Sequence, residues 1–329
     1  MLSTDLFIHQ FDKRGRSRQV LSCFVNSKTF IFALLMNYIN RILKLQENVI
    51  GMNERNYRII NRLNPREFRN YANDKALCKK VLEENKIPTP MTYCVIEAMR
   101  DIEDKISSIE HLEDFVVKPA MGSGGQGILI LKKTGSNLWS SPSGELYTRK
   151  ALVIHVANIL FGKFSKRLFD KAIFEYRLIP HSDFQKIFKR GVPDFRIILL
   201  NTQPVMAMLR MPTEESDGKA NLHAGAIGLG VDLETGRLTR GYNQITDQMV
   251  SRHPDSKVLF DGMKLPDWEK TLEISIATAK VFPLNYLGID IVYDEKFGPM
   301  VIEINSRPGM QIQNVNAIGL KKVLEKIEF

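Results

Sequence analysis

Cysteine is scarce. Cys23, Cys78 and Cys94 are the only three in 329 residues, and no two form a C-x-x-C pair. That spacing excludes a disulfide framework and a structural zinc site and points to a reducing compartment. Long apolar runs are also missing. The most apolar stretch, Thr29-Phe30-Ile31-Phe32-Ala33-Leu34-Leu35-Met36, is bounded by Lys28 and Asn37 and falls well short of the ~20 residues of a membrane span. It lacks the small-residue cleavage site of a secretory signal. No internal repeat or low-complexity tract occurs. An aromatic-plus-basic RNA motif and a helix-turn-helix pattern are absent too, so nucleic acid is not an expected partner. Acidic residues are short in one region only. Residues 1–80 carry 15 Lys and Arg against 6 Asp and Glu, which accounts for the net charge of +9. The excess therefore belongs to a basic arm, and the rest of the chain is balanced. Residues 29–36 read as a helix packed on the body or, with Arg41 and Lys44, as a peripheral membrane or protein contact. A cytoplasmic protein, with or without that contact, is expected; nothing indicates an oligomeric state.

A P-loop is missing as well. The stretch FVVKPAMGSGGQGILIL has a lysine and glycines, but Lys118 precedes Gly122, Gly124, Gly125 and Gly127. A P-loop places its lysine after the glycines and before a helix. Here an apolar run, Ile128-Leu129-Ile130-Leu131, follows, so the stretch reads as strand, glycine loop, strand. Such a loop offers backbone N–H groups unobstructed by side chains, Ser123 among them, and Lys118 adds a point charge for a phosphate.

Residues 51–84 read as helical with a break at Asn64-Pro65, and Asn73-Asp74 precedes the helical stretch from Lys75 as a capped start. Strands are expected at 92–96, 115–131, AIFEYRLI, DFRIILLN, QPVMAMLRM, AIGLGVDL and RLTRGYN. Helices fall at 150–162 and 265–281, a loop at 136–147, and a last hairpin at GIDIVYDEKFGPMVIEIN. This order predicts an α+β fold with largely antiparallel sheets rather than a parallel βαβ array. The expected divisions are an arm at 1–50, a helical region at 51–114, and subdomains at 115–174 and 175–329. Trp139, Trp268, Met206, Met208 and Met211 are expected in the core, and His111, His155 and His253 lack metal-ligand spacing.

The last hairpin carries the sharpest chemical signal. If Asp294 and Pro299 flank its turn, Asp290 falls opposite Glu303, and Asn305 shares the face of Glu303 by the two-residue period of a strand. Two facing carboxylates repel unless a cation lies between them, and oxygen donors of this kind suit Mg²⁺. Asp294 and Glu295, in the turn, are expected to be solvated. Arg196 and Arg210 lie on central strands, where a guanidinium needs an anion: a phosphate, a substrate carboxylate or a structural salt bridge. Lys219, Asn221 and His223 lie in a polar loop, TEESDGKANLHAG, that reads as a second lid ordering on binding or as an ordinary mobile loop.

In this order the parts resemble the ATP-grasp fold: Lys75, then VVKPAMGSGGQG, then IFEYRLI, Asp194-Phe195-Arg196, Lys219-Ala220-Asn221-Leu222-His223-Ala224-Gly225 and Glu303-Ile304-Asn305-Ser306-Arg307-Pro308-Gly309. The match is to RimK-type α-L-glutamate ligases, and GMNERN…NPREFRNYANDKALCKKVLEENKIPTP looks like the start of the sugar-transfer-associated subgroup. The resemblance spans about residues 50–320 and implies ATP clasped between two α+β subdomains. Lys75, Lys118 and the Gly122–Gly127 loop would hold the phosphates. The hinge at Glu175, Tyr176 and Leu178 would read the adenine, with Asp183 or His181 on the ribose. Asp290, Glu303 and Asn305 would hold two Mg²⁺ ions (or Mn²⁺), and Arg196, Arg210, Lys219 and Asn221 would serve the reaction. The implied activity joins a small-molecule or peptide carboxylate to an amine through an acyl phosphate. A phosphotransferase acting on a hydroxyl and a non-catalytic nucleotide-binding protein are the alternatives. The short basic segment before residue 70 departs from the α/β domain that usually precedes this fold, which leaves the identity of the substrates open.

Overall fold

A computed structural model describes residues 10–11, 17–18, 35–36, 48–165 and 169–327. The chain divides into two compact units, Met1–Glu47 and Asn48–Phe329. In the first, Gln10–Phe11 pairs antiparallel with Ser17–Arg18, and Leu35 and Met36 are helical and exposed. Cys23 and the remainder of the apolar run lie outside the described residues. No helix among the described residues is long and apolar enough to cross a membrane.

The second unit opens with a helical stretch over 52–63 whose middle, Arg55–Ile60, is π-helical. It stops at Asn64, because the residue before a proline is pushed out of the helical region. Helix α1 (Lys75–Glu84) begins at Asp74 as expected. The Asp74 carboxylate accepts from Ala76 N at 2.9 Å and Leu77 N at 3.1 Å, satisfying donors that a helix start leaves open.

Strands β1 (Thr92–Ile96), β2 (Asp114–Pro119), β3 (Leu129–Gly135), β4 (Leu138–Ser140), β5 (Leu146–Thr148) and β6 (Ala172–Glu175) form a six-stranded sheet in the order β1-β6-β2-β3-β4-β5. Every pairing in it is antiparallel. Helices α2 (Ile102–Ile109) and α3 (Arg149–Leu160) cover it. They close a core around Phe115, Trp139, Leu152, Val156 and Phe174. Residues 136–147 are thus not loop throughout: 138–140 and 146–147 are strand, with turns at 136–137 and within 141–145. Trp139 is fully buried, and its strand pairs with β5 through Trp139 and Tyr147, so one indole draws a polar segment into the sheet. The sheet also takes in Thr92–Ile96, a segment the sequence groups with the preceding helices.

The seven-stranded sheet is built from β7 (Asp194–Leu200), β8 (Gln203–Met211), β9 (Ile227–Val231), β10 (Leu238–Asn243), β11 (Gln248–Val250), β12 (Tyr286–Asp294) and β13 (Gly298–Asn305). Its order is β11-β10-β9-β8-β7-β12-β13, again antiparallel throughout. Both faces are buried. Phe195, Ile197 and Leu199 of β7 point to a core shared with α1, α4 (Ser182–Ile187) and α5 (Trp268–Val281). Ile198 and Leu200 point to another, shared with 50–60, α6 (Gln311–Asn316) and α7 (Leu320–Leu324). Met206, Met208, Met211 and Trp268 are core residues, as expected. The fold is α+β with two antiparallel sheets. The thiols of Cys78 and Cys94 are pushed up by burial, to about 12 and about 11, which leaves them poor nucleophiles.

Candidate active site

On the seven-stranded sheet a row of charged side chains crosses three strands. Arg196 of β7 pairs with Asp290 of β12, and Asp290 pairs with Glu303 of β13. Directly paired residues share a face, so the three side chains emerge together. Arg210 of β8 joins the same face opposite Asp194.

How Glu303 reaches that face differs from the expectation. The turn is one residue tighter: Asp294 pairs with Gly298 and Tyr293 with Pro299. Continued unbroken, that register would set Asp290 against Ile302 and send Glu303 to the apolar face. A β-bulge intervenes. Ile291 pairs with Val301 and Asp290 with Glu303, so Ile302 is the extra residue that restores the carboxylate pair. Val301 and Ile304 keep their side chains in the core on the other face.

The guanidinium of Arg196 grips Asp290 with two bonds, Nε at 2.8 Å and Nη2 at 2.6 Å. Arg210 forks onto both oxygens of Asp194 and donates to Asp290 Oδ2 at 2.8 Å. Asn305 Nδ2 adds a bond to Asp290 Oδ2 at 3.2 Å. Burial works against ionisation of Asp290, yet Arg196 and Arg210 hold its carboxyl well below the usual carboxylate range. Burial, opposed by Arg210 and reinforced by Asp290, pushes the Asp194 carboxyl up to about 6. Asp194 went unrecognised in the sequence as the partner of Arg210. The turn acid Asp294 is fully buried rather than solvated. It accepts from Ile179 N at 2.8 Å and from Lys296 N and Phe297 N at 3.0 Å. Glu295 accepts from Ser182 N at 2.6 Å. The turn therefore clasps the segment leaving β6.

On the six-stranded sheet, Lys118 and Glu175 stand on adjacent strands, and their side chains meet at 2.6 Å. Lys79 of α1 reaches the other oxygen of Glu175 at 3.0 Å. All three are almost wholly buried. Burial opposes the charge, but Lys118 and Lys79 outweigh it and hold the Glu175 carboxyl below its ordinary value. Lys79 was not singled out in the sequence; its i+4 spacing from Lys75 on one helix was the available signal.

Lys75 joins the two sheets. Its Nζ donates to Gly122 O at 2.7 Å and lies 3.2 Å from Glu303 Oε2. The glycine loop is anchored where Lys75 N bonds Ala120 O and where Met121 N donates to Asp170 Oδ1. Gly124, Gly125 and Gly127 all have positive φ, and a Cβ on Gly127 would collide with Phe164. Ser123 lies in this exposed loop.

The polar loop after β8 is framed by its own bonds. Thr213 N donates to Ser216 Oγ at 2.9 Å, and Thr213 Oγ1 donates to Gly225 O at 3.0 Å. A Cβ on Gly125 would lie 3.9 Å from Lys219 Cδ, so this loop reaches the glycine loop. Asn221 accepts from His223 N at 3.0 Å, and His223 pairs with Gln244 at 2.7 Å. After Glu175 the strand ends. Tyr176 N donates to Met91 O at 2.9 Å, Leu178 is half-buried, and His181 Nδ1 accepts from Asp183 N at 3.3 Å. Asp183 pairs with Lys186 at 2.7 Å. Buried His253 bonds Pro212 O at 2.8 Å and stacks on Phe188.

The two-sheet architecture and its paired sites define an ATP-grasp protein. Residues 54–329 match the family described as sugar-transfer associated ATP-grasp, and the chain belongs to that family. It is 24% identical over 267 residues to the tetrahydromethanopterin:alpha-L-glutamate ligase of Methanocaldococcus jannaschii, covering 80% of this chain and 69% of that protein. Among solved structures, the D-alanine–D-alanine ligase of Bacillus anthracis is 15% identical with a TM-score of 0.44, covering 78% of this chain and 66% of that one. The biotin carboxylase of Campylobacter jejuni is 12% identical with a TM-score of 0.48, covering 78% and 46%. The chain thus spans less than two thirds of the length of these two solved proteins.

Proposed function

We propose that this protein is an ATP- and Mg²⁺-dependent ligase that joins a carboxylate to an amine through an acyl phosphate. The observation that carries the reading is Lys75, whose one ammonium touches both the glycine loop and Glu303. That contact makes a phosphate-type loop and a carboxylate hairpin, far apart in sequence, into one site. The glutamate-ligase relative supports the amide-forming chemistry and suggests glutamate as one unit.

The donor types suit a hard divalent cation: Asp290 and Glu303 are directly opposed, Asn305 shares their face, and each carries an oxygen. The ion would compete for Asp290 with the guanidiniums of Arg196 and Arg210 and for Glu303 with Lys75. Bound there, Mg²⁺ would neutralise phosphate charge. The residues of the chain supply the rest. Lys75 and the N–H groups of Gly122–Gly127 bind the ATP phosphates, while Lys118, fixed by Glu175, adds positive charge from the strand. The Glu175–Leu178 hinge takes the adenine, with Asp183 or His181 on the ribose. Arg196 and Arg210, oriented by Asp290 and Asp194, stabilise charge on the moving phosphoryl group, which is most of what a protein can contribute to such a transfer. A substrate carboxylate oxygen attacks the γ-phosphorus, the bond to the β-phosphate oxygen breaks, and ADP leaves. The amine then attacks the acyl carbon. A C–N bond forms, phosphate departs with the C–O electron pair, and the nitrogen loses a proton. Lys219 and Asn221 close over the acyl phosphate and keep water from it.

The test is to incubate the protein with ATP, Mg²⁺ and pairs of candidate acids and amines, measuring ADP and product mass. An amide with free phosphate is the expected result. A phosphorylated alcohol without free phosphate would move the reading to a phosphotransferase, and intact ATP with every pair would remove the catalytic reading.

A further inference from the structure

Four arginines beside the carboxylate hairpin have no role in the chemistry above. Arg55 and Arg69, from the helical segments before α1, are buried, with 8% and 9% of their surface exposed; Arg66 and Arg307 are exposed. The two buried guanidiniums are hydrogen-bonded only to neutral acceptors. Arg55 donates to Pro308 O at 2.7 Å and to Asn56 Oδ1 at 2.9 and 3.2 Å. Arg69 donates to Asn64 O at 2.8 Å and to Ile60 O and Asn61 Oδ1 at 3.2 Å. Asn64 in turn donates to Ser306 O at 2.8 Å. The backbone on either side of Arg307 is therefore fixed, by Arg55 at Pro308 and by Arg69 through Asn64 at Ser306.

Among the described residues none of the four makes an ion pair, whereas Arg196 and Arg210 each do. The buried pair is hydrogen-bonded but not neutralised. Burial and then Arg307 weigh against the charge of Arg69, and Glu67 is the one acid acting on it. Arg307 also opposes the charge of Arg55. Concentrated positive charge of this kind, set on rigid backbone, attracts an anion. Its location follows from the chain: Arg307 lies two residues past Asn305, and a Cβ on Gly309 would sit 3.9 Å from Arg196 Nη1.

We propose that Arg307, backed by Arg55 and Arg69, is a subsite for an anionic oxygen group, phosphate or carboxylate, on the acid substrate, next to the carboxylate that becomes activated. The assignment to the acid substrate rests on the ligase reading; the anion subsite itself does not.

The test is calorimetric titration of inorganic phosphate, and separately of glutarate, into the full chain saturated with Mg·ADP. Wild type, Arg307→Gln and Lys75→Gln are compared. Arg307 makes no hydrogen bond within the described residues, so its replacement leaves the fold intact. At least one anion is expected to bind wild type and to weaken tenfold or more in Arg307→Gln, with Mg·ADP affinity unchanged. Phosphate alone would mark a phosphate-bearing acid, and glutarate alone a dicarboxylic one. Lys75→Gln separates phosphate in the vacated γ position, which that variant loses, from phosphate at Arg307, which it keeps. Equal anion affinity in wild type and Arg307→Gln overturns the proposal, as does a parallel loss of Mg·ADP affinity. If Mg·ADP fails to bind wild type, the ATP reading fails, and the Arg307→Gln comparison without nucleotide still decides the subsite.

Discussion

The two sheets handle buried charge differently. On the six-stranded sheet one anion, Glu175, holds two ammonium groups, Lys79 and Lys118, leaving an excess positive charge beneath the glycine loop. On the seven-stranded sheet two guanidiniums face two carboxylates, Asp194 and Asp290, and the cluster is balanced. On the proposed reading, the surplus of cation on one side serves the phosphates. A neutral network of forked bonds fixes Asp290 as an oriented anion on the other. Lys75 is the point where the two sides meet.

The carboxylate side depends most on the bulge. Deleting Ile302 should return β13 to the register of its turn and drive Glu303 into the apolar face. ADP release should fall below detection and the unfolding midpoint should drop, while Ile302→Val, which keeps the bulge, retains both. A deletion variant that still releases ADP would show that the carboxylate pair is not set by this residue. Next in size, Glu175→Ala leaves two buried ammonium groups without an anion and should cost about 3–5 kcal/mol in denaturant unfolding. The exposed pair of Arg149 and Glu103 offers the control, since Glu103→Ala should cost only about 0–1 kcal/mol. Equal losses would mean that burial does not distinguish them.

Acid sharpens the same contrast. Glu175 has a folded-state pKa below its ordinary value of 4.5, so the folded state binds fewer protons than the unfolded chain in that window. Its contribution is complete above about 4.5 and is lost as pH falls below it. Wild type should therefore lose more stability than Glu175→Gln between pH 5 and 3, as measured by urea midpoints. A steeper loss in the variant would reverse the assignment.

Much of this was legible in local pattern. Asp74 could be read as a cap because capping depends on adjacent backbone, and the hairpin acids because strand alternation is a short-range rule. The pairing of Asp290 with Glu303 came out right although the turn register was wrong, since a bulge compensated a one-residue slip. Long-range contacts were not legible. Asp294 looks like a turn acid until the segment after β6 arrives to donate from Ile179. Trp139 sits among serines, yet its indole is enclosed by Phe115 and residues of other strands. The helices α2, α6 and α7 are short, too brief for periodicity to declare them, and depend on the sheets they cover. The neutral acceptors around Arg55 and Arg69 are carbonyls and amides, which no charge pattern reveals.

If the glycine loop and the carboxylate hairpin form a single ATP site, Glu303→Gln should disable it. The substitution keeps size and the contact to Lys75 while removing the negative charge. ADP release in the presence of Mg²⁺ and a productive acid and amine should fall on the order of 10²–10³-fold, with the unfolding midpoint retained. ADP release at the wild-type rate would mean that the hairpin carboxylate does not share a site with the glycine loop.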